Sequence, residues 1–375
     1  MRVKILSMQR VVNCGSFTQA YALKRVLEKL GNEVSFCDFK PGQPRHLGQK
    51  VKKATSFDKL LRLPKKLLSR SQRMKKRQFH RDLAQCFEWR VWPLLGMDGT
   101  MNYDSSCDLM VIGSDEVFNY TQNHVFGYVP AFFGHGLQAK SIISYAASAG
   151  YASLNDVEAD GMGGELESGF KNFNALGVRD QNTYEIVQRY ASKPPTYVVD
   201  PTFLYDFDTE VPSSTHTPDY VLVYAYGGRL DAPRDIKKIM AFAASKGLTV
   251  VSADFYHEWC DENIVVTPFE LLALFRQASY VITDTFHGTI FSIKNRKPFV
   301  SLLRGDHRMG SNTNKLGFLL LQVGLADRIN TDLAQVGPHL ETPMDYATVY
   351  RKLEILRRAS MDFLETAMAA TSPKV

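Results

Sequence analysis

Short apolar runs and longer stretches with helical spacing alternate along most of this chain. Val3 to Leu6 reads as a strand. Phe17 to Leu30, apolar at positions 20, 23, 26, 27 and 30, reads as a helix capped by Ser16 and ended by Gly31, and Val34 to Phe39 completes a βαβ unit. Leu109 to Ile112, Ser141 to Ala146, Ala175 to Val178 and Tyr197 to Val199 are near-continuous apolar runs, as expected of strands covered on both faces of a parallel sheet. They stop at Gly113-Ser114-Asp115, Ala147-Ser148, Arg179-Asp180 and Asp200-Pro201. The polar, proline-containing stretch Asp206 to Asp219 reads as a linker.

The rhythm then restarts with a strand from Tyr220 to Tyr226, a helix from Pro233 to Ser245 and a strand from Thr249 to Ser252. Thr267-Pro268-Phe269-Glu270 has the form of a capping box opening another helix. Tyr346 to Ala369 is a long amphipathic helix. The fold class expected is α/β, with two Rossmann-like doubly wound domains facing across a cleft. The first covers residues 1–205 with an insertion at 45–81, the second 220–345, and a C-terminal helix and tail, 346–375, crosses back over the hinge.

Composition changes this picture in one place. The chain has 375 residues, 45% hydrophobic and 22% charged, enough for two separate cores. Its net charge of +6 is local, because residues 45–81 hold fourteen Lys and Arg against the single acid Asp58, and the remainder sums to −7. Phe57, Leu60, Leu61, Leu67 and Leu68 give that insertion a modest amphipathic pattern around Pro64. It suits anionic headgroups or a pyrophosphate-linked acceptor, and equally a solvated basic helix pair. Nucleic acid is not the expected partner, since aromatics for base stacking are few. The start of the chain lacks a signal-peptide pattern and no eighteen-residue apolar run occurs, so the expectation is a cytoplasmic protein with a peripheral contact at the inner membrane face. Five widely spaced cysteines without a CxxC pair suggest reduced thiols, with no metal or cofactor called for.

The candidate chemistry centres on Tyr280 to Leu302, where Asp284-Thr285 breaks a strand, a helix opens at Gly288-Thr289 and a second strand follows. His287 thereby falls at the C-terminal end of a strand and the start of a helix, the side of an open α/β sheet on which ligands bind. Imidazole exchanges protons near neutral pH. The plainer reading is a helix cap or a bond to Asp284.

Five stretches carry a family resemblance: NCGSFTQAYALKRVLEKLG, DLMVIGSDEVFN, ISYAASAG, GVRDQNT followed by VVDPTFLYD, and VITDTFHGTIFSIKNRKPFV. In this order the chain resembles the polysaccharide pyruvyl transferase family over residues 3 to 328. The resemblance implies a GT-B-like fold and a transferase that moves the enolpyruvyl group of phosphoenolpyruvate onto two hydroxyls of a sugar as a ketal, in surface or exopolysaccharide biosynthesis. It implies His287 as general acid/base and Arg179, in GVRD, as a clamp on the donor's anionic groups, the plainer reading of Arg179 being a salt bridge to Asp180 or Asp200. Asp115 or Asp284 would orient a sugar hydroxyl or the imidazole, and Ser114 and Asn119 would line the acceptor side.

Asn13, Gly15 and Ser16 would hold a phosphate at a helix start. Some members carry an arginine where this chain has Thr285, so Arg304 or Arg308, with Asn314 nearby, is expected to supply the missing cation. The sugar acceptor is lipid-linked, nucleotide-linked or polymeric. Two other functions compete: a GT-B glycosyltransferase using a nucleotide sugar, and a non-catalytic carbohydrate-binding relative.

Overall fold

A computed structural model describes residues 1–43, 45, 70–122, 126–213, 219–303, 313–330, 332–334 and 336–371. The first sheet is built from β1 (Arg2–Leu6), β2 (Glu33–Phe36), β3 (Leu109–Asp115), β4 (Ser141–Ala147), β5 (Ala175–Val178) and β6 (Thr196–Tyr197). All its pairings are parallel, in the order β2-β1-β3-β4-β5-β6. Both β3 and β4 are buried at every position, which explains their lack of alternation in sequence. Strand order reverses between β1 and β3, and such a switch point opens a crevice at the carboxyl ends of the strands.

Helix α1 (Cys14–Lys29) follows β1 and starts at the N-cap Asn13, whose side chain accepts from Ser16 N. Ser16, expected as the cap, is inside the first turn, because Asn13 offers its carbonyl oxygen three residues before a free N–H. The basic insertion contributes α2 (Arg70–Cys86), its described part, and the rest of 45–81 apart from Arg45 lies outside the described residues. Helices α3 (Leu154–Ala159), α4 (Gly163–Phe170) and α5 (Gln181–Tyr190) cover the far half of the sheet.

The second sheet comprises β7 (Tyr220–Tyr224), β8 (Thr249–Ala253), β9 (Glu262–Ile264), β10 (Tyr280–Thr283), β11 (Phe299–Leu302) and β12 (Ile329–Asn330). It too is wholly parallel, ordered β12-β11-β10-β7-β8-β9, so its reversal falls between β7 and β10. Its helices include α6 (Pro233–Ser245), α7 (Pro268–Gln277), α8 (Phe286–Lys294), α9 (Phe318–Val323) and α10 (Val336–Glu341). The capping box at Thr267 and Glu270 forms as its residue types require. The short edge strands β9 and β12 carry too little apolar pattern to stand out in sequence.

Two sets of contacts bring the sheets face to face. Phe17 and Tyr21 of α1 pack edge-on against Phe269 of α7, with ring centroids 5.8 and 5.1 Å apart. Helix α11 (Tyr346–Ala369) begins against the second sheet, where Tyr350 Oη donates to Lys294 O (2.8 Å), and ends on the first, where Val199 N donates to Ser360 Oγ (2.9 Å). The two switch points therefore confront each other across one cleft. All five cysteines are buried and free.

Candidate active site

Everything expected of the helix-start cluster must fit the N–H groups that α1 leaves open. Cys14 N donates to Asp254 Oδ2 (3.0 Å), a carboxylate from the end of β8 on the opposite sheet, and Ser16 N to Asn13. Asp254 occupies the anion position at this helix N-terminus, so the phosphate expected at Asn13, Gly15 and Ser16 would meet a carboxylate already seated there. Burial pushes the Asp254 carboxyl up to about 6, against bonds from Cys14 and Tyr224 that favour its charge.

Ser16 instead turns its hydroxyl to Asp115, donating to Oδ2 at 2.8 Å. Asp115 closes β3 with φ of 81°, a left-handed conformation that Asp tolerates better than most residues. On its other oxygen Arg179 Nη2 donates at 3.0 Å, and Arg179 Nη1 donates to Asp200 Oδ2 at 2.8 Å. The guanidinium lies 4.4 Å over the ring of Phe286, a residue of the second sheet's helix α8. Arg179 is thus a bridge between two carboxylates inside the protein, with both terminal nitrogens engaged and its buried Nε without a hydrogen-bond partner. Burial works against the charge of Asp115, but Arg179 foremost, with His287, Ser16 and Lys315, holds its carboxyl below the ordinary range.

His287 enters from the opposite side. Thr285 caps α8, its hydroxyl accepting from Gly288 N (2.9 Å), which starts the helix two residues earlier than the sequence pattern suggested and places His287 in its first turn. Thr285 is therefore a cap, a role an arginine side chain does not fill. The imidazole rests on Gly15 so closely that a Cβ there would lie 2.5 Å from Nδ1. Its Nε2 is buried, faces Asp200 Oδ2 at 3.6 Å and makes no hydrogen bond. Asp200 is anchored by Thr202, whose N and Oγ1 donate to Oδ1 at 3.1 and 2.7 Å. Although burial opposes its charge, His287, then Arg179 and Thr202, keep the Asp200 carboxyl well below the ordinary range.

The remaining candidates divide. Asp284, one residue past β10, accepts from Tyr226 N (3.1 Å) and lies 3.4 Å from Arg229 Nη1, so it holds the loop after β7, and the carboxylate beside the imidazole is Asp200. Ser114 is fully buried beneath α1, where its hydroxyl bonds Gln19. Asn119 spends its amide on Glu116 (2.9 Å) and its carbonyl on Thr121. Neither presents a free polar group to the cleft. Arg304, Arg308 and the side chain of Asn314 lie outside the described residues. Lys315, not singled out from the sequence, reaches from the second sheet to pair with Glu116 on the first. Asp200 and Asp254 were also missed as site residues. VVDPTFLYD carried a signal for the former, an Asp-Pro ending a strand, but no local pattern reveals that Asp254 meets α1, 240 residues away.

Among solved structures, the glycosyltransferase SnogD from Streptomyces nogalater aligns at TM-score 0.45 and 13% identity, covering 99% of this chain and 99% of that one. S. aureus MnaA, in a co-structure with UDP, aligns at TM-score 0.48 and 9% identity, covering 96% and 91%. The UDP-GlcNAc 2-epimerase from Methanocaldococcus jannaschii aligns at TM-score 0.45 and 10% identity, covering 95% and 92%. No curated protein matches the sequence. Residues 13–307 do match a family profile, that of the polysaccharide pyruvyl transferases, and the stretch takes in α1, Asp115, Arg179, Asp200, Asp254 and His287. The chain belongs to the polysaccharide pyruvyl transferase family.

Proposed function

We propose that the protein transfers the enolpyruvyl group of phosphoenolpyruvate to two hydroxyls of a sugar, forming a pyruvate ketal during surface or exopolysaccharide biosynthesis. The observation that carries this reading is the unbonded, buried Nε2 of His287, held beside Asp200 and facing the acid-lined edge of the first sheet. Protonated His287 gives its proton to the methylene carbon of the enol, and the electrons of the double bond form the new C–H bond. The adjacent carbon becomes electrophilic and takes a sugar hydroxyl, whose proton leaves to a base. Cleavage of the C–O bond releases phosphate, and the second hydroxyl closes the ketal with loss of its proton.

Asp200 sits beside the imidazole, and Asp115, fixed by Ser16 and Arg179, is placed to orient a hydroxyl. Arg179 acts by holding Asp115 and Asp200 at a set separation, so donor recognition falls to cations that become available when the cleft opens. Asp115, Ser16, Arg179 and His287 are each at most 8% exposed, so entry requires the two sheets to part.

The test is phosphate release from phosphoenolpyruvate with and without diol-bearing glycans, alongside thermal stabilisation by phosphoenolpyruvate and by UDP- or GDP-sugars. Release that depends on a glycan supports the reading. Stabilisation by nucleotide sugars alone makes the protein a glycosyltransferase instead.

A further inference from the structure

Helix α2 packs in only one direction. Its inner stripe, Phe79, Leu83 and Cys86, is buried with Phe87 just beyond it, and the Phe79 ring sits 5.6 Å from that of Tyr256 in the loop after β8. Arg90 fixes the far end through a 2.8 Å ion pair with Glu270 at the start of α7. Opposite that stripe, Met74, Arg77 and Arg81 follow one another at helical spacing on the exposed side, with Arg73 beside them. Two large apolar side chains are exposed along this segment, Met74 at 58% and, in the turn after the helix, Trp89 at 73%. Residues 71–94 hold six Lys and Arg against Asp82 and Glu88.

We propose that this face of α2 and the turn after it docks on an anionic lipid bilayer. Lys and Arg gain from the negative potential of the headgroups, while Trp and Met partition into the interface below them. A polynucleotide would ask for a series of aromatics on which bases stack, and this face offers one. Charge complementarity extends to the whole chain, since residues outside 45–81 sum to −7 and an anionic surface attracts the basic end and repels the rest. Through Tyr256 the helix is anchored to the same carboxyl edge of the second sheet that carries His287, so docking brings the cleft edge towards the bilayer. The docking itself is independent of the transfer chemistry.

The experiment is sedimentation of the full-length protein with vesicles of phosphatidylcholine, with and without phosphatidylglycerol, at low and high salt. Binding confined to the anionic vesicles, lost at high salt and accompanied by a blue shift of tryptophan emission is expected. Each cation near such a surface contributes about a tenfold-or-less factor, roughly fivefold, so the double reversal Arg77→Glu with Arg81→Glu should weaken binding by about 25-fold or more. Trp89→Ala should weaken it and abolish the emission shift. All three positions are exposed, so both proteins are expected to keep the wild-type melting temperature, which is measured alongside. Absence of binding to the anionic vesicles, equal binding to both vesicle types, unchanged binding of both variants, or binding of a single-stranded polynucleotide in place of vesicles would overturn the proposal.

Discussion

The carboxyl edges of the two sheets meet in one cleft but are built on different terms. On the first, Asn13, Ser16, Asp115, Arg179 and Asp200 form a network in which both carboxylates and both terminal guanidinium nitrogens have protein partners, and the Nε of Arg179 is buried without one. On the second, Thr285, Thr283 and Tyr224 satisfy each other's polar groups, while Nε2 of His287, buried beside Asp200, is among the described polar atoms that have no hydrogen-bond partner. A satisfied network fixes positions, and an unsatisfied polar atom at low exposure is where a reacting group can still be received. On the proposed function, proton transfer belongs to the second edge and the first edge holds the geometry.

The largest effect that would break it is on His287. His287→Gln should lower the rate of phosphate release by about 10²- to 10⁴-fold in a protein that still folds cooperatively, with the melting temperature measured alongside. Arg179→Ala should do the reverse in kind. It strands two buried carboxylates and should cost about 3 to 5 kcal/mol of stability, read by denaturant unfolding. An Arg179→Ala protein that is fully stable and only binds donor weakly would restore the simple clamp.

Asp254 sharpens the comparison through pH. Its carboxyl is raised to about 6, so between roughly pH 4 and 6 the folded protein keeps a proton that the unfolded chain releases. That contribution is complete below pH 4 and disappears as pH rises through 6. Relative to Asp254→Asn, the wild type should therefore lose up to about 3 kcal/mol of stability from pH 4 to 7, measured as the difference between two pH series of unfolding curves. A flat difference would mean that the group titrates normally in the fold.

Gly15→Ala probes the contact between the edges. Its Cβ would press into the imidazole at 2.5 Å from Nδ1, and about 1 to 3 kcal/mol is expected in stability together with a loss of rate. The smallest effect is local: Thr285→Ala removes the α8 cap and should cost about 1 kcal/mol.

Much of the architecture was legible from pattern alone. Strands β3, β5, β7 and β10 are covered on both faces, so their apolar runs are unbroken, and capping residues such as Thr267 with Glu270 mark helix starts by local chemistry. Where two caps competed, the reading slipped by a turn or less, to Ser16 instead of Asn13 and to Gly288 instead of Phe286. Edge strands β9 and β12 were invisible, being too short to hold a period. His287, Asp115 and Arg179 are brought to one place, whereas Asp284, tied to the imidazole by proximity in sequence, accepts from Tyr226 N.

What the sequence determined by itself is the list of chemical groups and the two repeating α/β patterns, because helix and strand periods and caps are local properties. Which carboxylate faces the imidazole, which anion fills the start of α1 and whether Arg179 is free or bound were decided only when two switch points closed on each other. Those pairings join residues as far apart as Cys14 and Asp254, and charge–charge and hydrogen-bond energies depend on distances in space that no window of sequence contains.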